Sequence, residues 1–170
     1  MLYPRMYLEN VTKITEEIVK KNNIQGIILD IDNTLVDYDK KLLDGAEDWA
    51  KKMKQNNIKL YILSNTNKVE KVKKVASLLD IPYIYFAKKP SKKGFLKIKE
   101  QMNLNEANIA VVGDQIMTDV IGGNRCKMFT ILTKPIDKRD IFITKVKRPI
   151  ENIVIKKYIN KQKDKKNQKM

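Results

Sequence analysis

Through the middle of the chain, short unbroken apolar runs alternate with longer segments in which apolar residues recur every three or four positions. The runs cover residues 26–31, 58–64, 83–87, 109–113 and 128–132, and consist mostly of Ile, Val, Leu, Tyr and Phe. None alternates strictly between apolar and polar, which marks strands buried on both faces of a sheet. The intervening periodicity predicts helices over 68–79, 91–102 and 118–123, one before the first strand (12–21) and one after the last (148–158). Asp44, with Glu47 three positions on, resembles a capping box opening a further helix. That helix carries Trp49 and Met53 as core residues and ends at Asn56-Asn57. Strands alternating with helices predict an α/β, Rossmannoid three-layer fold around a mainly parallel five-stranded sheet.

In such sheets ligands gather at the carboxyl ends of the strands. Asp30 and Asp32 end the first run, and Ser64 with Asn65 ends the second. Lys88 and Lys89 follow the third, and Asp114 and Asp119 follow the fourth. All of them fall at one rim. Carboxylates crowded together repel unless a cation or proton lies among them, and hard oxygen ligands suit Mg²⁺. A Mg²⁺ ion calls for a phosphate, and Ser64 and Lys89 offer the hydroxyl donor and the positive charge that hold phosphoryl oxygens.

Plainer readings stand beside these. A lone Asp at a strand end serves as a turn former or cap. The run from Asp30 imitates the first positions of a calcium loop, but Leu35 stands where Gly is needed and Lys41 where Glu is needed. Asp37 and Asp39 read as solvated turn residues. Gly122-Gly123 lacks a phosphate-loop pattern and reads as a helix stop.

Composition narrows the chemistry. At 170 residues the chain fits one domain, here residues 1–155, followed by a Lys-rich tail, 156–170, expected to fray. The formal charge is +15, of which seven Lys against one Asp in the tail supply +6. That tail offers a salt-sensitive attraction to phosphate-rich surfaces, or is simply a solvated end. With no His and one Cys, His-assisted nucleophiles, His-ligated zinc and internal disulfides are all excluded. No stretch approaches the roughly 18 apolar residues of a membrane span, and "MLYPRMYLENVTK" lacks the apolar centre of a signal peptide. A cytoplasmic location is expected, with peripheral contact at the inner membrane face.

The rim motifs resemble those of the haloacid dehalogenase (HAD) phosphatase superfamily. "DIDNT" is similar to its D-x-D-x-T first motif and "LSNT" to its second; "KKP" resembles the third, and "GDQIMTD" the G-D-x-x-x-x-D fourth. The resemblance implies that Asp30 is the nucleophile that becomes an aspartyl-phosphate and Asp32 the acid–base. It implies phosphoryl binding by Ser64, Lys89 and Asn65, with Lys88 as the competing lysine. Mg²⁺ would be held by Asp30, the Asp32 main-chain carbonyl and Asp114, with Asp119 orienting metal-bound water. Only 31 residues separate Asp32 from Ser64 and 24 separate Ser64 from Lys89, too few for an inserted cap domain of about 50 residues or more. A capless site is open to bulky phosphate monoesters and must exclude water with the substrate itself or a neighbouring subunit.

The flanks "YPRMYLENV", "GGNRCKMFTILTKPI" and "FITKVKRPIE" together resemble the YqeG-type branch of subclass III A, which includes phosphatidylglycerophosphate phosphatases. The expected reaction is removal of the terminal phosphate of phosphatidylglycerophosphate, with residues 139–148 and the Lys-rich tail near an anionic membrane. Two alternatives stay open at this point. One keeps the chemistry but takes a soluble sugar phosphate or a nucleic-acid terminus. The other is a non-catalytic nucleic-acid or ribosome-binding protein on the same shell.

Overall fold

The computed structural model describes residues 2–137 and 148–167. Six strands form one sheet: β1 (Met6–Leu8), β2 (Gly26–Leu29), β3 (Lys59–Leu63), β4 (Tyr83–Ile84), β5 (Ile109–Gly113) and β6 (Phe129–Thr133). Their spatial order is β1-β6-β5-β2-β3-β4, and every pairing is parallel. The helices are α1 (Glu16–Lys21), α2 (Ala46–Gln55), α3 (Val69–Leu79), α4 (Lys92–Met102), α5 (Ile121–Arg125) and α6 (Arg148–Asn167).

The unbroken apolar runs become strands because each face has its own cover. Ile27 and Leu29 of β2 join Leu60, Ile62, Ala110 and Val112 on one face, beneath Trp49 and Met53 of α2 and Val72 and Leu79 of α3. The intervening Ile28 and Val111 point the other way with Leu63, onto Phe95, Ile98 and Met102 of α4 and the thiol of Cys126. Trp49 also donates its indole Nε1–H to the Ile14 carbonyl at 3.0 Å, which satisfies the one polar atom that its burial strands. Beside β6, Val154 of α6 packs on Ile116, Val120 and Leu132.

Several expectations need correction. The sheet has six strands, not five, because Met6–Leu8 pairs with Ile131–Thr133 as an edge strand. Three half-buried residues behind Pro4 carry too little apolar pattern to announce a strand. No capping box opens α2; its N-cap is Gly45 at φ 81°, and Asp44 instead pairs with Lys41 on the surface. The helix expected over 118–123 is a π-helical turn, Ile116–Val120, running into α5. Gly122 and Gly123 lie inside α5 and do not stop it. A Cβ on Gly122 would come within 2.5 Å of the Phe95 ring, and one on Gly123 within 2.6 Å of Thr130 Cγ2, so the pair lets α5 press against α4 and β6. Finally, α6 continues to Asn167 through most of the Lys-rich segment, since Lys and Gln readily extend a helix already nucleated. The docking stretch expected at 139–148 lies, except for Arg148, outside the described residues. Among those residues no helix is long and apolar enough to cross a membrane.

Candidate active site

From β2 the chain moves outward to β3 and β4 on one side of the sheet; from β5 it moves outward to β6 on the other. The strand order therefore reverses between β2 and β5, and a crevice opens beyond their carboxyl ends. Asp30 and Asp114 follow these two strands directly, so the topology alone sets their carboxylates side by side. The Asp30 N–H bonds to the Val112 carbonyl at 2.9 Å, which continues the ladder to the last residue before the site.

Asp119 enters from the π-helical turn. A Cβ on Gly113 would sit 2.2 Å from Asp119 Oδ2, so glycine there clears the space the carboxylate fills. The Gln115 N–H donates to that same oxygen at 3.3 Å. Carboxylate oxygens of Asp30, Asp114 and Asp119, all buried, lie within 4.8 Å of one another. Lys89 Nζ donates to Asp30 Oδ1 at 2.6 Å and to Asp119 Oδ1 at 2.7 Å. Its own backbone is clasped by one side chain: Asn65 Oδ1 accepts from Lys89 N–H at 2.6 Å, and Asn65 Nδ2 donates to the Lys89 carbonyl at 3.1 Å. The Asn65 side chain, one of the two groups through which this residue was expected to meet phosphate, is thus engaged in positioning Lys89. Lys88 faces solvent with its Nζ 5.1 Å from the Phe86 ring centroid, so of the two lysines it is Lys89 that joins the carboxylate cluster.

Ser64 is buried at the end of β3, and its Oγ accepts from the Thr66 N–H at 3.2 Å. Asp32 stands apart from the carboxylate cluster. Its side chain is 40 % exposed and pairs with Lys71 of α3. Nothing in the sequence singled out Lys71, one of many lysines on the polar faces of helices; its only signal is a place in the first turn after the Ser64 loop. Asn33, at φ 59°, accepts from the Ile136 N–H at 3.0 Å through its carbonyl and from the Asp137 N–H at 3.1 Å through Oδ1. Asn33 thereby ties the loop after β2 to the chain leaving β6. Asp37 is a turn residue, its Oδ1 accepting from the Lys41 N–H at 2.9 Å.

Burial pushes the Asp30 carboxyl up to about 7; the charges of Asp119 and Asp32 add to this, and Lys89 opposes it. Burial draws Lys89 down, but Asp119 and Asp30 outweigh it and hold the ammonium charged. One lysine thus answers several carboxylates, a negative surplus of hard oxygen donors that suits a divalent cation of the Mg²⁺ kind. No cap covers the rim among the described residues. After Asp32 come only a short turn joined by the bridges Asp32–Val36 and Val36–Leu42, and then α2. A cavity of about 590 Å³ lies at the opposite end of the sheet among Val19, Ile24, Met53 and Ile58, away from this chemistry.

An open, parallel α/β sheet with acidic side chains and a buried lysine at its switch point defines the class: a doubly wound, Rossmann-like protein with its site at the strand ends. The haloacid dehalogenase-like hydrolase family matches residues 38–127, a span that includes Ser64, Lys89, Asp114 and Asp119. The probable phosphatase YqeG of Bacillus subtilis is 40 % identical over 153 residues, covering 89 % of this chain and 88 % of that one. The chain belongs to the haloacid dehalogenase-like hydrolase family, and within it to the phosphatases. Phosphatidylglycerophosphate phosphatase 1 (chloroplastic/mitochondrial) of Arabidopsis thaliana is 22 % identical over 169 residues, which span 93 % of this chain but 48 % of that protein. An uncharacterized protein of Listeria monocytogenes shares the fold with a TM-score of 0.56 at 23 % identity, covering 68 % of this chain and 84 % of that one. The deoxy-D-mannose-octulosonate 8-phosphate phosphatase of Haemophilus influenzae does so with a TM-score of 0.53 at 14 % identity, covering 82 % and 91 %.

Proposed function

We propose that the protein is a Mg²⁺-dependent phosphomonoesterase that works through an aspartyl-phosphate on Asp30 and acts on phosphatidylglycerophosphate. The observation that carries the chemistry is Lys89 bound to both Asp30 and Asp119 inside the buried carboxylate cluster. Asp30 Oδ forms a bond to phosphorus as the ester's P–O bond breaks, and Asp32 gives its proton to the leaving alkoxide. Asp32 then takes a proton from the water that attacks the acyl phosphate, releasing inorganic phosphate and restoring Asp30. Lys89 and the Ser64 hydroxyl hold the phosphoryl oxygens, and Asn65 keeps Lys89 in place. Asp30, Asp114 and the Asp32 main-chain carbonyl would hold the cation, with Asp119 behind them. When bound, the cation supplies charge neutralisation at the phosphoryl group.

Asp30 suits this role because a carboxylate displaced from its usual range by burial gains most from a nearby cation and a bound phosphoryl group. Asp32 suits the proton transfers because it lies outside the cluster, within reach of solvent. The lipid substrate is supported by the likeness to the Arabidopsis enzyme over 93 % of this chain, by the uncapped rim and by the positive charge of the chain. The test is a substrate panel with Mg²⁺: phosphatidylglycerophosphate in mixed micelles against soluble sugar phosphates and nucleotide esters. Faster turnover of the lipid, lost with Asp30→Asn, is the expected outcome. Equal or better turnover of the soluble esters would remove the lipid assignment. Absence of any Asp30-dependent phosphate release would remove the chemistry.

A further inference from the structure

Between Asp80 and Glu100 the chain has six Lys and no acidic residue. Two of the six are neutralised in the fold, Lys89 by Asp30 and Asp119 and Lys99 by Glu106. The other four, Lys88, Lys92, Lys93 and Lys97, are exposed, and no ion pair among the described residues involves them. The same stretch carries three of the chain's exposed large apolar side chains: Tyr85 at 44 %, Phe86 at 54 % and Leu96 at 39 %. Leu96 lies one helical turn from Lys92 and Lys93 and beside Lys97, so these side chains share the open side of α4.

Phe86 is the informative member. It adopts φ 51°, a left-handed conformation uncommon for a bulky side chain, yet its ring is not buried by it. The surroundings fix it there: Phe86 N–H bonds to the Thr66 carbonyl at 2.9 Å and Ala87 N–H to the Ser64 carbonyl at 3.0 Å. An aromatic ring held outward at a cost to the backbone, with an ammonium group over its face, is explained by a surface that receives both. Those two hydrogen bonds also fasten the patch to the loop carrying Ser64, and Lys89 belongs to the same stretch. Whatever meets the patch therefore meets the mouth of the site.

We propose that the exposed face of residues 85–97 docks on an anionic phospholipid bilayer, with Phe86, Tyr85 and Leu96 entering the interface and the four lysines meeting lipid phosphates. The inference rests on the phospholipid reading above and names the surface that presents the site to such a substrate. Aromatic rings flanked by lysines suit the head-group layer, where rings settle and ammonium groups find phosphate. A protein partner fits less well, because lysine is depleted from the centres of protein interfaces.

The test uses the full chain, its Phe86→Ser/Leu96→Ser and Lys93→Gln/Lys97→Gln variants, and vesicles of phosphatidylcholine with or without phosphatidylglycerol. The parent is expected to sediment with the anionic vesicles and not with the neutral ones. Each double variant is expected to bind the anionic vesicles more than tenfold more weakly, the lysine pair at about fivefold per lysine, with turnover of a soluble ester unchanged. A Phe86→Trp chain is expected to show a blue-shifted emission, quenched by brominated lipid, when anionic vesicles are added. Undiminished vesicle binding by both double variants, or no spectral change with Phe86→Trp, would overturn the proposal. So would patch-dependent binding of single-stranded RNA without binding to vesicles. Patch-dependent docking without turnover of phosphatidylglycerophosphate would remove the substrate and leave the docking surface standing, whereas such turnover by variants with unaltered vesicle binding would do the reverse.

Discussion

At Asp30 the proposed function and stability stand in opposition. Its carboxyl titrates near 7 in the fold against 3.8 in the open chain, so the native state holds the extra proton between those values. An acid with a raised folded pKa lowers stability as pH climbs through that window. In chelator, the protein is therefore expected to lose stability from about pH 4 to about pH 7 on account of this group, and Asp30→Asn is expected to melt higher than the parent at pH 8. Lys89 keeps Asp119 as a partner in that variant. Melting curves with and without Mg²⁺ check this: Mg²⁺ should raise the parent's Tm and leave Asp30→Asn nearly unmoved. Lys71 carries a second expectation. As the only described partner of the Asp32 carboxylate, it fixes where the proposed acid–base points. Lys71→Gln is expected to lower kcat about tenfold or more with a smaller change in KM, measured on a soluble ester. The motif residues were legible because carboxylates, a serine and a lysine at strand ends have a chemical signature in the sequence. Lys71 had none, since its role depends on a side chain reaching across from a helix.

At the scale of elements, the central strands were legible and the edges were not. Residues 109–113 were read to the residue because β5 is buried on both faces. The run read as 83–87 is a strand only over Tyr83–Ile84, where the chain turns out into the exposed patch. Pattern reading also misplaced the glycines of α5, because a glycine that permits close packing looks in sequence like one that ends a helix. Gly122→Ala tests the packing role. A glycine inside a helix with open space beside it would gain up to about 1 kcal/mol from alanine. A close contact would lose about 1–3 kcal/mol, because the new methyl meets the fully buried Phe95 ring at 2.5 Å. We expect net destabilisation, visible as a Tm lowered by about 2–4 °C per kcal/mol.

Over the whole molecule, the positive charge and the buried acidic rim are complementary parts of one design. The rim concentrates negative charge where burial magnifies it, while the outer surface carries a large excess of lysine. A phosphate ester is drawn by the surface and must then be accepted by a pocket that repels anions unless Lys89 and a cation are present. This makes activity against an anionic interface salt-sensitive, and activity against a small soluble ester less so. The sheet order, which the sequence did not announce, is what brings Asp30 and Asp114 together, since 84 positions separate them along the chain. The most direct measurement is rapid quenching of the parent enzyme during turnover with Mg²⁺, borohydride reduction, and mass spectrometry of the peptide containing Asp30. Conversion of Asp30 to homoserine, absent without ester, is the expected result. An unmodified Asp30 under steady turnover, or homoserine at Asp32 instead, would contradict the assignment of Asp30 as the nucleophile.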